Sequence, residues 1–227
     1  MSTPLRLVIF DVDGTLVDSQ ADILAAMAAT FNAVDHPLPD RETLLGVVGL
    51  SLEVLMPQLA PDLSSETHGR MVQAYKDAYM DLRATAGVAQ SSPLYPGALD
   101  TLRTLHAQPE TLLGIATGKS RRGLDKLIEG HGLEGLFVTQ QVSDHHPSKP
   151  HPAMILQALS ETGVEAENAV MVGDTSFDMQ MATSAGVRGI AVTWGYHPAA
   201  RLGDATQHIS NFAALEPALA GMWNVEA

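Results

Sequence analysis

The chain has 227 residues and is 45% hydrophobic, enough to fill the core of one large domain or of one domain with a smaller insertion. Its 26 acidic against 13 basic side chains leave a formal charge of -13, which repels nucleic-acid phosphates and anionic membrane surfaces. There is no cysteine, so disulfides and thiolate metal sites are excluded, as suits a reducing compartment.

Along the chain, the run "LRLVIF" (5–10) comes first and reads as a strand buried on both faces. Arg6 interrupts it and Asp11 ends it, so it lacks the longer apolar core of a signal peptide, and no later run approaches the ~18 apolar residues of a membrane span. A soluble, cytoplasmic protein is expected. From about residue 18 to 93 no strand pattern occurs, while "QADILAAMAATFNAV", "SLEVLMPQLA" and "SSETHGRMVQAYKDAYMDLRATA" have the spacing of amphipathic helices. A crossover helix needs only a dozen or so residues, so this stretch predicts a helical cap subdomain over 18–93 inserted into a core formed by 1–17 and 94–227. Its expected hinges are "LVDS" (16–19) and the serine- and proline-rich "QSSPLYPG" (90–97). Beyond it, the predicted strands "LLGIAT" (112–117), "LFVT" (136–139), "AVMVG" (169–173) and "RGIAVT" (188–193) alternate with helical segments. That alternation predicts an α/β fold, a doubly wound, Rossmann-like parallel sheet.

Ligands of open α/β sheets bind beyond the carboxyl ends of the strands. Those ends supply Asp11, Asp13, Gly14 and Thr15, then Thr117, Gly118 and Lys119, then Gly173, Asp174 and Thr175, with Lys149 in the loop "HHPSKPHP". Three carboxylates converging on one rim would repel each other, and a divalent cation relieves this; all-oxygen ligation favours Mg2+ over zinc. The Thr117 hydroxyl, the Gly118 amide and the Lys149 ammonium offer donors to phosphate oxygens. Asp11 can attack phosphorus, and Asp13 can protonate the leaving alcohol and later deprotonate water. Taken singly, each feature has a plainer reading: strand-end turn aspartates, a threonine or Ser120 capping a helix, a solvated loop lysine.

Together these residues resemble the haloacid dehalogenase-like hydrolases, subclass I, and within it the phosphoglycolate phosphatase-like enzymes. "DVDGT" (11–15), "ATGK" (116–119), Lys149 in "SKP" and "GDTSFD" (173–178) resemble the family's four motifs in order, and the helical insertion falls where subclass I carries its cap. The resemblance implies Asp11 as nucleophile, Asp13 as general acid/base, and Thr117 and Lys149 as phosphate anchors. It further implies a Mg2+ held by Asp11, the Asp13 backbone carbonyl and Asp174, with Asp178 in support. An acid at Asp13 sets the chain apart from dehalogenases and phosphonate-cleaving members, leaving a phosphatase or a sugar phosphomutase.

Two other function classes are weighed against this. A phosphorylatable receiver would need no cap and no second aspartate at the strand tip. A zinc site at His145, His146 and His151 lacks a carboxylate or cysteine partner at zinc spacing. Lys119, Arg121 and Arg122 read either as a solvated helix start or as a steering patch for an anionic substrate. Substrate discrimination is expected from the cap, with Gly49, Leu50 and Ser51 in "GVVGLSLE" (46–53) as first candidates. No basic residue lies in that segment, so a compact, weakly charged leaving group is expected. The expected partner is a small phosphorylated metabolite, phosphoglycolate among the candidates, for a monomer or homodimer that binds neither nucleic acid nor membrane.

Overall fold

The computed structural model describes residues 4–223. Six strands form one sheet: β1 (Arg6–Phe10), β2 (Thr111–Thr117), β3 (Thr139–Val142), β4 (Ala169–Gly173), β5 (Arg188–Val192) and β6 (Gln207–Ile209). Their order is β3-β2-β1-β4-β5-β6 and every pairing is parallel. After β1 come five helices in succession: α1 (Gln20–Ala33), α2 (Arg41–Leu45), α3 (Leu52–Leu59), α4 (Ser65–Ala86) and α5 (Val88–Ser91). The rest alternate with the strands: α6 (Ala98–His106), α7 (Arg121–His131), α8 (Ala153–Thr162), α9 (Ser176–Ser184) and α10 (Leu215–Trp223).

The unbroken apolar run of β1 follows from helices on both faces of the sheet. Val8 and Phe10 pack with Leu102 of α6, Leu124 of α7 and Leu219 of α10, whereas Leu7 and Ile9 pack with Met154 and Ile155 of α8 and Met181 of α9. β4 divides in the same way, Val170 and Val172 to one side and Ala169 and Met171 to the other. A strand so placed needs apolar side chains at every position. Helices α1–α4 bury a cluster of their own, built on Ile23, Met27, Phe31, Leu55, Met56 and Met71. The two chain crossings between it and the sheet run side by side: Asp18 N–H donates to Pro93 O at 2.9 Å and Tyr95 N–H to Leu16 O at 2.9 Å. No described helix is long and apolar enough to cross a membrane.

The edges of the sheet depart from the sequence expectation. The strand expected at 136–139 begins at Thr139 instead, where it pairs with Gly114. The apolar residues before it only bring the chain up to the sheet: Phe137 drops into the core and Val138 stays 56% exposed. β3 reads "TQQV" and β6 "QHI", edge strands whose polar residues hide them from an apolar-run criterion. The short helices α2 and α5, and α10, also lie outside the sequence expectation.

Candidate active site

In the order β3-β2-β1-β4-β5-β6 the direction of winding reverses between β1 and β4, so the residues after these two strands share one crevice. Asp11 follows β1 and Asp174 follows β4. The intervening turn at Gly14 has φ 81°, and a Cβ there would fall 2.2 Å from Asp174 Oδ2, so only glycine lets turn and carboxylate close up. Thr15 Oγ1 donates to Asp174 Oδ1 at 2.9 Å and Tyr196 N–H donates to Oδ2 at 2.8 Å. Lys149 Nζ lies 2.9 Å from Asp11 Oδ1 and 2.7 Å from Asp178 Oδ1. Asp178 is fixed in turn by the capping box of α9, where its Oδ2 accepts from Thr175 N–H at 3.0 Å and Thr175 Oγ1 at 2.7 Å.

Carboxylate oxygens of Asp11, Asp174 and Asp178, all buried, lie within 4.8 Å of one another, and one ammonium pairs with two of the three. The electrostatics show the imbalance. Burial, against the pull of Lys149, pushes Asp11 up to about 7, and burial with the charges of Asp11 and Asp178 raises Asp174 well above the usual carboxylate range. Burial works against the Lys149 ammonium too, but Asp11 and Asp178 outweigh it and hold its pKa above the ordinary value. Asp11 Oδ2 is buried and has no hydrogen-bond partner. An all-oxygen donor set of three buried carboxylates short of positive charge fits a hard divalent cation. Among the described residues no other cluster has metal-holding spacing. The histidines do not form one: His146 Nε2 is engaged by Gln141 Oε1 at 2.8 Å and His151 Nδ1 accepts from Ala153 N–H at 3.2 Å.

Asp13 stands outside that triad. Its Oδ1 lies 2.7 Å from Lys119 Nζ and accepts from Ser19 Oγ. Lys119 is therefore no solvated helix residue: its side chain is 8% exposed and also reaches the Tyr79 hydroxyl at 3.2 Å. Arg121 turns away toward Asp125 and Gln140, and Arg122 is exposed. Thr117 is buried with its Oγ1 accepting from Lys119 N–H at 3.2 Å, while Ser120 caps α7 by accepting from Gly123 N–H at 3.2 Å.

Over these strand ends lies a cavity of about 960 Å³ whose wall includes Asp11, Asp13, Thr117, Gly118 and the loop residues Gly49, Leu50 and Ser51. The loop is close: a Cβ on Gly118 would sit 2.8 Å from Gly49 O, and Ser51 N–H donates to Ser148 Oγ at 2.8 Å. The wall also carries Lys76 and Arg83 of α4, so a 46–53 segment free of basic residues does not leave the cavity uncharged. Sequence reasoning passed over Ser19, Arg83 and the segment Trp194–His197. The last had a signal: it follows the carboxyl end of β5, one of the two expected strand ends from which no candidate was taken. Trp194 Nε1–H donates to Thr15 O at 3.2 Å, Tyr196 OH lies 3.0 Å from Ser19 Oγ, and His197 Nε2 lies 3.1 Å from Gly46 O.

Comparison with known proteins agrees with this arrangement. A protein of Dickeya dadantii named "Probable phosphatase IndB" is 37% identical over 196 residues, covering 84% of this chain and 82% of that protein. The phosphoglycolate phosphatase of Vibrio parahaemolyticus is 30% identical over 201 residues, covering 85% of this chain and 86% of that enzyme. Among solved structures, a haloacid dehalogenase-like family hydrolase from Streptococcus pneumoniae superposes with a TM-score of 0.80 at 28% identity, over 94% of this chain and 98% of that one. A hydrolase from Pseudomonas syringae shares the fold with a TM-score of 0.84 at 23% identity, over 96% of this chain and 99% of that one. The sequence profile described as haloacid dehalogenase-like hydrolase matches residues 8–192, and the chain belongs to that family, as one of its phosphatases.

Proposed function

We propose that the chain hydrolyses small phosphomonoesters through an aspartyl-phosphate, with Asp11 as nucleophile and residues 18–93 as a cap on a core of 1–17 and 94–227. The observation that carries this reading is Asp11 Oδ2, which is buried, without a hydrogen-bond partner, on a residue of the cavity wall. The other oxygen is held by Lys149 at 2.9 Å, so the free oxygen is the one left to react. Asp11 Oδ2 attacks phosphorus, the bond from phosphorus to the ester oxygen breaks, and the departing alkoxide takes a proton from Asp13. Asp13 then accepts a proton from water as that water attacks phosphorus, and the Asp11–phosphorus bond breaks to release inorganic phosphate. Thr117 Oγ1, Gly118 N–H and Lys149 Nζ are the phosphate donors, and Asp178 positions Lys149.

Asp11, Asp174 and the Asp13 backbone carbonyl would hold Mg2+. Bound there, it supplies neutralisation of charge on the carboxylate and the phosphoryl oxygens as they meet. Phosphoglycolate is a candidate substrate on the strength of the named relatives, and a reducing cytoplasm suits a cysteine-free chain. The test is phosphate release from a panel of phosphomonoesters, phosphoglycolate among them, with Mg2+ and with excess chelator. Asp11→Asn keeps shape but removes the attacking charge, so release should fall by about a thousandfold or more while the melting temperature stays near that of the unaltered protein. An active Asn variant, free of deamidation by mass spectrometry, would remove Asp11 from the nucleophile's place; full activity in chelator would remove the metal.

A further inference from the structure

The cavity that holds Asp11 and Asp13 carries charge for which phosphate transfer has no use. Arg83, near the end of α4, lines the cavity and is 9% exposed. Its Nη1 donates to Gly123 O at 3.2 Å and its Nη2 to Ser92 Oγ at 3.3 Å, while Nε has no partner. Nε–H is left without an acceptor, on a guanidinium with five N–H donors of which two are seen to be engaged. Among the described residues no carboxylate lies within ion-pair distance of Arg83, although the chain has 26 acidic side chains to choose from. The other lysines of the wall are compensated: Lys119 by Asp13 at 2.7 Å, Lys76 by Glu53 at 3.5 Å and Lys126 by Glu129 at 2.6 Å. Asp22 feels the charge of Arg83, but its carboxyl is taken by Ser91 Oγ and burial raises its pKa. Arg122, exposed on α7 and also part of the wall, has no ion pair among the described residues either. A buried cation without a counter-ion is costly, and an arriving anion relieves that cost.

Tyr79 ties this charge to the reacting groups. Its hydroxyl is 3.2 Å from the Lys119 ammonium that holds Asp13, and the Arg83 guanidinium lies 4.8 Å from its ring centre. Tyr75 stacks beside it at 5.8 Å, and Met27 and Leu55 add apolar wall. A cavity of about 960 Å³ with such a lining is far larger than a two-carbon acid requires.

We propose that Arg83, with Arg122, forms a second anion subsite that selects phosphomonoesters whose alcohol carries a carboxylate on a flat or apolar body larger than glycolate. This deepens the phosphatase reading and rests on it. The subsite replaces the compact, weakly charged leaving group expected from residues 46–53 alone. A guanidinium fork meets a carboxylate with two parallel hydrogen bonds, a geometry no neutral group of the same shape reproduces.

The test compares 4-carboxybenzyl phosphate with its neutral isostere 4-carbamoylbenzyl phosphate, in which the methylene insulates the ester oxygen from the changed group. The unaltered enzyme should favour the carboxylate by about tenfold or more in kcat/KM, chiefly through KM. That ratio should collapse toward one in Arg83→Met and fall partway in Arg122→Gln. Arg83→Lys, which keeps the charge but not the fork, should recover only part of it. A ratio near one in the unaltered enzyme overturns the subsite whatever the variants do, and so does a ratio that survives Arg83→Met in a protein with native melting behaviour. If the amide ester is hydrolysed without any carboxylate preference, the phosphatase reading stands and the subsite falls. If neither ester is hydrolysed, the phosphomonoester panel decides the phosphatase reading and calorimetric binding of the two corresponding benzylphosphonates decides the subsite alone: equal affinities overturn it, tighter binding of the carboxylate upholds it.

Discussion

The hydrogen bonds at Asp13 have a fixed direction, because Ser19 Oγ has one proton and gives it to Asp13 Oδ1. Ser19 Oγ must then accept from Tyr196 OH at 3.0 Å, while Tyr196 OH accepts from Ser19 N–H at 3.2 Å. Burial and the nearby Asp13 charge raise the Tyr196 phenol above its ordinary pKa, so it stays a donor. With Ser19 and Lys119 both on Oδ1, the proton that Asp13 passes to a leaving alkoxide in the proposed reaction would belong on Oδ2. Tyr196→Phe removes the donor and lets Ser19 turn, so kcat for an alkyl phosphate should drop by roughly ten- to a hundredfold with little change in KM. A nitrophenyl phosphate, whose leaving group needs little protonation, should lose much less, and equal losses on both substrates would reduce Tyr196 to a structural tyrosine. The meeting of Asp11, Asp13 and Asp174 on one rim was legible in the sequence because strand ends bring them together whatever lies between, whereas Lys149, in a loop, was legible only from its place in the order of motifs. Ser19, Tyr196 and Arg83 were not, since a serine before a helix, a loop tyrosine and a helix arginine look the same in solvent as in a site.

At the scale of elements, the buried strands were legible because helices on both faces demand unbroken apolar runs, and the edge strands were hidden by the same physics. The connection after β5 shows what an apolar pattern misses, since hydrogen bonding and not packing places it. His197 Nδ1 accepts from Ser176 N–H at 3.0 Å and its Nε2–H donates to Gly46 O at 3.1 Å, so one ring links the start of α9 to the end of α2. Only the neutral ring with its proton on Nε2 can make both bonds. Burial, then the charge of Arg201, depresses its pKa to about 4. The unfolded chain, with an ordinary histidine pKa of about 6.5, binds that proton more readily. His197 therefore contributes stability that is fully present above about pH 6.5 and is lost as pH falls through about 4. Melting temperatures at pH 7.5 and pH 4.5 check this: His197→Gln, which does not titrate, should lose less on acidification than the unaltered protein. Equal losses would place the acid sensitivity elsewhere.

On the scale of the whole molecule, the helices α1–α5 rest on the strand ends through few polar contacts, among them Ser51 to Ser148 and His197 to Gly46. Helices α1–α4 keep a core of their own, Val88 of α5 packs against the core beside the sheet, and the two crossings run paired like a short ribbon at Leu16–Asp18 and Pro93–Tyr95. Gly49 and Leu50 backbone oxygens lie close to where a Cβ on Gly118 would be, so we expect substrate to reach Asp11 more freely when the helical part lifts away, with the paired crossings as the hinge. The chain contains no cysteine, so an engineered pair would react with itself alone. The Ser51 N–Ser148 Oγ bond of 2.8 Å keeps the two Cα atoms within about 7 Å, near the span of a disulfide. Oxidised Ser51→Cys/Ser148→Cys should therefore hold the helices down and lower kcat/KM by about tenfold or more. Reduction with dithiothreitol should restore the rate of the same variant, which separates locking from any effect of the substitutions beside Lys149. An oxidised variant, its disulfide confirmed by mass, that turned over as fast as its reduced form would show that substrate enters without this part of the chain moving.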